Sequence, residues 1–244
     1  MQLSLCLARS PLEDARDVLL AAFGPQRPKA RMDPVSQLVK SSISHRTLDA
    51  VSWAAFLRLQ AEFRTWEDLA AASAERVLPL ISDVTHAQDK ARRLPIALRM
   101  VQNRIGWLSL SHLRNLTVEQ ARHELRALPG VGQKVAASVL NFSTLAMRDL
   151  VVDSHVHRTA QRLGLVGPGD PTHSYNALMA LAPDAWTADD LFELHCLMKH
   201  GLGQLVCTHD TPQCGACPLK TQCRRVGVEG ATVLAWRPRG TSER

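Results

Sequence analysis

The chain has 244 residues, 45% of them hydrophobic, enough to bury one or two globular cores. Its net charge of +6 rests on 23 arginines and only six lysines spread along the chain, which suits a folded surface facing a polyanion better than a disordered basic arm. No apolar run approaches a membrane span, Met1 to Ala8 lacks the longer apolar core of a secretion signal, and four of six cysteines within 17 residues suggest metal ligation more than a disulfide framework.

The pattern is helical almost throughout, so the expected fold class is all-α. Pro11 to Ala22 reads as one helix, capped by Ser10 and stopped by Gly24. Residues 25–34 form a turn-rich basic connector. Pro34 to about Ser42 predicts a short helix, and Leu48, Val51, Ala55 and Leu59 a longer one. Thr65 and Ser73 each cap a short helix. Residues 86–102 are periodic, with Pro95 expected to kink or interrupt them. Thr117 and Gln120 read as a capping box for a helix whose apolar stripe is Val118, Ala121, Leu125 and Leu128. A second stripe follows at Val135, Val139 and Phe142. Leu150-Val151-Val152 is strand-like but too short to build a sheet. Another helix runs from Asp153 to Gly164, and Thr187 with Asp190 caps a late one reaching His200.

Between the two stripes lies Leu128-Pro129-Gly130-Val131-Gly132-Gln133-Lys134, a glycine hairpin in which Gly130 and Gly132 can take positive φ. Such a turn aims backbone N–H groups outward at a helix start, a site for a phosphate oxygen. Lys134 falls in the first turn of the second helix, where the positive end of the dipole disfavours a further charge and favours a neutral, nucleophilic amine. Taken singly, it is a surface lysine on phosphate. Asp153, 19 residues on, is taken singly a helix cap worth ~1 kcal/mol. Cys207, Cys214, Cys217 and Cys223 then follow as C-x6-C-x2-C-x5-C, a set that can ligate zinc or an iron–sulfur cluster. Zinc sites usually pair two C-x2-C knuckles, and only one is present here. Cys6 and Cys196 read as small core residues.

The hairpin, the Val152-Asp153-Ser154-His155 segment and the cysteine spacing, in this order, resemble the endonuclease III branch of the helix–hairpin–helix DNA glycosylases over roughly residues 33 to 223. The resemblance implies Lys134 and Asp153 as catalytic residues and the four cysteines as ligands of a [4Fe–4S] cluster with a structural role. It also implies a six-helix barrel-like domain at 33–146 and a split domain of 1–32 with 147–228. The cleft would lie between them, and a flexible basic tail follows at 229–244. The hairpin, through Leu128, Gly130, Val131 and Gly132, would hold DNA backbone, with His45 and His86 where the family fills the gap left by a flipped base. The loop 208–213 departs from the family's pattern, carrying Asp210 and no arginine or lysine where the family has basic residues.

The implied activity is base excision by a bifunctional glycosylase and AP lyase acting on damaged, oxidised pyrimidine bases in double-stranded DNA. A monomer in the cytoplasm, nucleoid-associated by DNA binding, is expected. Rival readings are an adenine-mismatch glycosylase, disfavoured by Lys134, and an oxidised-guanine enzyme, disfavoured by the cysteines. A non-catalytic DNA-binding paralogue and a zinc interaction module are the remaining alternatives.

Overall fold

A computed structural model describes residues 9–228; the expected tail at 229–244, the Met1–Ala8 segment and Cys6 lie outside them. The chain divides into two compact units, Lys29–Asp149 and the described parts of Met1–Pro28 with Leu150–Arg244. These limits lie four and three residues outside the 33–146 span expected from sequence.

The first helix, α1 (Pro11–Phe23), starts at a full capping box between Ser10 and Glu13 and stops at Gly24. Unit Lys29–Asp149 then holds α2 (Pro34–Ser44), α3 (Asp49–Glu62), α4 (Trp66–Ala71), α5 (Ala74–Val77), α6 (Ala87–Ile105), α7 (Val118–Arg126) and α8 (Gln133–Phe142). Capping boxes at Thr65 and Thr117 set the starts of α4 and α7, whereas Ser73 precedes α5 without a side-chain cap. In this unit α2 lies against α8 and α3, and α4 against α6. Leu38 and Ile43 of α2, Phe56 and Leu59 of α3, Leu98 of α6 and Leu140 of α8 are fully buried in one core. Burial of such side chains contributes roughly 1.5–3 kcal/mol each before entropy is counted.

Two expectations are corrected here. Pro95 does not interrupt α6, which runs from Ala87 to Ile105 with the proline ring buried. The proline forfeits one backbone hydrogen bond, and core packing of its ring offsets the loss. Leu48 is not a core residue: it is the N-cap of α3 and 77% exposed. Its spacing matched the stripe, but a cap residue lies outside the helical twist.

The unit also buries an ion pair. Arg122 donates to both carboxylate oxygens of Asp149, at 3.3 and 2.8 Å, and to Glu119 at 2.8 Å. Asp149 is fully buried.

The other unit combines α1 with α9 (Ser154–Leu163), α10 (Pro171–Leu181) and α11 (Ala188–Cys196), which continues into a π-helical segment, Leu197–Gly203. Helix α10, capped by Asp170, had no sequence-based expectation. Thr187 and Asp190 form the capping box expected for α11. Leu12, Leu19, Val156, Leu178 and Leu194 make this unit's core. Arg16 of α1 ties it to α11 through Glu193 and Asp190, at 2.5 and 2.9 Å. Among the described residues there is no strand; a lone bridge pairs Met32 with Ser143.

Candidate functional site

Helices α7 and α8 meet at the hairpin. Gly130 takes φ +82°, a conformation that needs glycine. Gly132 does not: at φ −94° and ψ −174° it is extended, as the N-cap of α8 must be, which corrects the expectation of positive φ there. Leu128 and Val131 are buried in the core, and the Val131 N–H donates to the Leu128 carbonyl at 3.1 Å. The turn's outward donors are therefore the first-turn amides of α8, which have no carbonyl within their own helix and, above a glycine, no side-chain cap.

Lys134 lies in this first turn and is half-buried. It lines a solvent-open groove of about 1470 Å³ together with the hairpin, His45, His86, Lys90, Arg93 and Arg126. The cations outnumber the one acidic group on its walls, Asp89. His45 and His86 are thus brought to the same groove as Lys134. Burial, then the charges of Lys134 and Lys90, hold the His45 imidazole below its ordinary range. A histidine so placed stays neutral near pH 7.

The loops carrying the two histidines are locked together. Thr85 N–H donates to Thr47 Oγ1 at 3.1 Å, and Thr85 Oγ1 donates to the Arg46 carbonyl at 2.7 Å. Lys90 Nζ donates to the Ile43 and His45 carbonyls, at 2.8 and 2.7 Å, and to Thr47 Oγ1 at 3.3 Å. Arg46 and His86 both have positive φ, +54° and +58°. Non-glycine residues keep such a conformation where surrounding contacts enforce it, commonly at functional sites.

In the other unit, Asp153 is the N-cap of α9, its Oδ1 accepting from the His155 and Val156 amides at 2.9 Å each. Its Oδ2 stands 3.7 Å from Lys199 Nζ. Burial raises the carboxyl's proton affinity, but His195, the Val156 amide, Lys199 and His155 outweigh it and hold the group below the usual carboxylate range. Asp153 is thus a cap and also a buried, ionised carboxylate.

Cys207, Cys214, Cys217 and Cys223 all line one solvent-open pocket, walled by Leu163, Leu202 and Val206. Arg162 reaches its edge, 3.5 Å from Cys207 Sγ, and the Arg225 N–H donates to Cys223 Sγ at 3.3 Å. Among the described residues no three His, Cys, Asp or Glu side chains converge as they would on a single ion. Asp210 and its partner His209, 2.6 Å apart, are both largely exposed. Cys196 is buried, as expected, and does not line this pocket.

Residues 39–184 match the family described as HhH-GPD superfamily base excision DNA repair protein. Endonuclease III of Thermotoga maritima is 32% identical over 193 residues, covering 78% of this chain and 83% of that protein. The chain belongs to the HhH-GPD superfamily of base excision DNA repair proteins. Within it the chain sits in the endonuclease III-like branch: a trapped endonuclease III–DNA covalent intermediate superposes with TM-score 0.72 at 25% identity, covering 88% of this chain and 94% of that one. An Arabidopsis thaliana protein provisionally named a DNA glycosylase is 36% identical over 166 residues, and this chain spans 55% of its length.

Three groups in this endonuclease III-like chain had no sequence signal. Lys90 sits at no motif, and only its three acceptors expose its role as a tie between loops. His195 and Lys199 looked like interior residues of a late helix. Their four-residue spacing on an element expected to pack was the available clue.

Proposed function

We propose that the protein is a DNA glycosylase and AP lyase that excises oxidised pyrimidine bases from double-stranded DNA, with Lys134 as nucleophile and Asp153 as the assisting carboxylate. One observation carries the reading: the hairpin presents Lys134 in the first turn of α8, beside uncapped amides, in a groove walled by Lys90, Arg93 and Arg126.

The chemistry follows from the groups. The amides and cations would hold the phosphates flanking an extruded nucleotide without reading sequence. The neutral Lys134 amine attacks C1′, and the C1′–N bond breaks with its electron pair leaving on the base. The ionised Asp153 stabilises positive charge developing on the sugar, an effect often worth ~3 kcal/mol in a dry site. The amine then loses its proton and the sugar ring opens to a Schiff base. Loss of the C2′ proton expels the 3′ phosphate and cuts the strand.

The cysteine cavity fits a [4Fe–4S] cluster. Four cysteines line one shared space, and four thiolates are the donor set that such a cluster takes. An N–H donor to sulfur and an apolar wall are the surroundings such clusters take. Bound, the cluster would cross-link Cys207 to Cys223 and fasten that segment to Arg162 of α9.

The test uses the full chain with duplexes containing one oxidised pyrimidine or one abasic site. Base release with scission 3′ to the lesion is expected. Tight binding with neither would instead support a non-catalytic DNA-binding protein.

A further inference from the structure

The environment of Asp153 contains two groups that the reaction as described does not use. Helix α11 and the π-helical segment carry His195 and Lys199, four residues apart and so on neighbouring turns of one face. A π-helical stretch adds a residue to the turn and re-aims the side chains after it, a device found mostly at functional positions. The segment lies tight on α9: a Cβ at Gly203 would stand 2.9 Å from both His155 Cβ and the Met198 carbonyl oxygen. Arg158 of α9 donates to the Gly203 carbonyl at 2.9 Å. The face bearing Lys199 is therefore fixed against the start of α9.

The two oxygens of Asp153 have separate duties. Oδ1 is committed to the two amides of α9, and Oδ2 faces Lys199 Nζ at 3.7 Å. Both side chains are mostly buried, 11% and 14% exposed, so their attraction is weakly screened. His195 is buried beside them, and its Nδ1–H donates to the Val151 carbonyl at 2.7 Å, which fixes the ring's orientation. Burial pushes the His195 imidazole below its ordinary range, against the opposing pull of the Asp153 charge. Lys199 faces Oδ2 with a full ammonium, and it acts on the carboxylate together with His195.

We propose that Lys199 is a positioning residue for base excision, holding Asp153 ionised and its Oδ2 in place, with His195 anchored on the Val151 carbonyl beside the pair. The proposal rests on the reading of Asp153 as a functional carboxylate. Without the ammonium, desolvation would favour the protonated acid, and a neutral Asp153 cannot stabilise positive charge on the sugar. The other titratable groups facing this site are His155 and Arg158 on α9, Cys196 on α11 and His200 on the π-helical segment. Burial holds the His155 imidazole below its ordinary range and raises the Cys196 thiol to about 11, so both stay neutral near pH 7.

The test compares the full-length wild type, Lys199→Met and Lys199→Arg. Carbon-13 NMR of the Asp153 carboxyl gives its titration directly, and single-turnover excision between pH 4.5 and 8 gives the activity profile. Lys199→Met should move the carboxyl midpoint and the acid limb of excision upward together by about one pH unit, a tenfold loss on that limb. Activity should recover at higher pH, and Lys199→Arg should restore most of the wild-type profile. An unmoved Asp153 titration in folded Lys199→Met overturns the proposal. If Asp153→Asn excises normally while the titration still moves, the functional reading of Asp153 fails and the hold exerted by Lys199 stands. Should Lys199→Met misfold, the arginine variant decides, since its guanidinium must keep the midpoint within a few tenths of a unit.

Discussion

Lys90 Nζ lies 2.7 Å from the carbonyl oxygen of His45, so the start of α6 caps the end of α2. A cation on terminal carbonyls is favourable, yet this one is half-buried beside Lys134. Burial, then repulsion by Lys134, lowers Lys90 to about 8. Lys90 and Lys134 are thus close enough to repel within one groove.

A stability trend with pH follows. The folded value, about 8, is below the ordinary 10.5 of the unfolded chain, so the unfolded state binds more protons between those values. Stability should rise with pH across that window. Lys90→Met should lack this component, so the wild type should gain on the variant in melting temperature between pH 8 and 10.5. Parallel trends in thermal melts would show that Lys90 is not perturbed.

The buried pair Arg122–Asp149 gives a second expectation. Arg122→Met leaves a fully buried carboxylate without its guanidinium and should cost about 3–5 kcal/mol in urea unfolding. Combining it with Asp149→Leu should recover much of that loss. Additive losses would show that the pair is not coupled.

Asp153→Asn keeps a good N-cap and removes the charge. Excision should fall by two orders of magnitude or more, taking ~3 kcal/mol as the electrostatic contribution. The melting temperature should change little. A stability loss with excision intact would leave Asp153 as a cap alone.

Asp210 concerns DNA affinity. Its carboxylate is largely exposed, and its charge would oppose a phosphate brought to the loop. Asp210→Arg should tighten duplex binding and steepen the slope of log affinity against log salt by about one unit. An unchanged slope would mean that the loop does not face DNA.

The parts legible in sequence were the local ones. Caps at Ser10, Thr65, Thr117 and Thr187 are written within four residues, and each formed with its partner three positions on. The hairpin was legible for the same reason, except that Gly132 serves as an extended cap and not as a second left-handed residue. Leu48 misled because periodicity does not say where a helix begins. Pro95 misled because the burial that offsets its missing donor is tertiary. Lys90, His195 and Lys199 were invisible because their partners lie tens of residues away along the chain.

The central claim, that Lys134 is the attacking amine, is tested most directly by borohydride trapping on abasic-site DNA. Borohydride reduces a protein–sugar Schiff base to a stable amine, so the wild type should become covalently linked to the strand. Lys134→Ala should give no linked species while still binding duplex, because the hairpin's backbone donors remain. A linked species in Lys134→Ala at the wild-type yield would contradict the account and assign the chemistry to another amine.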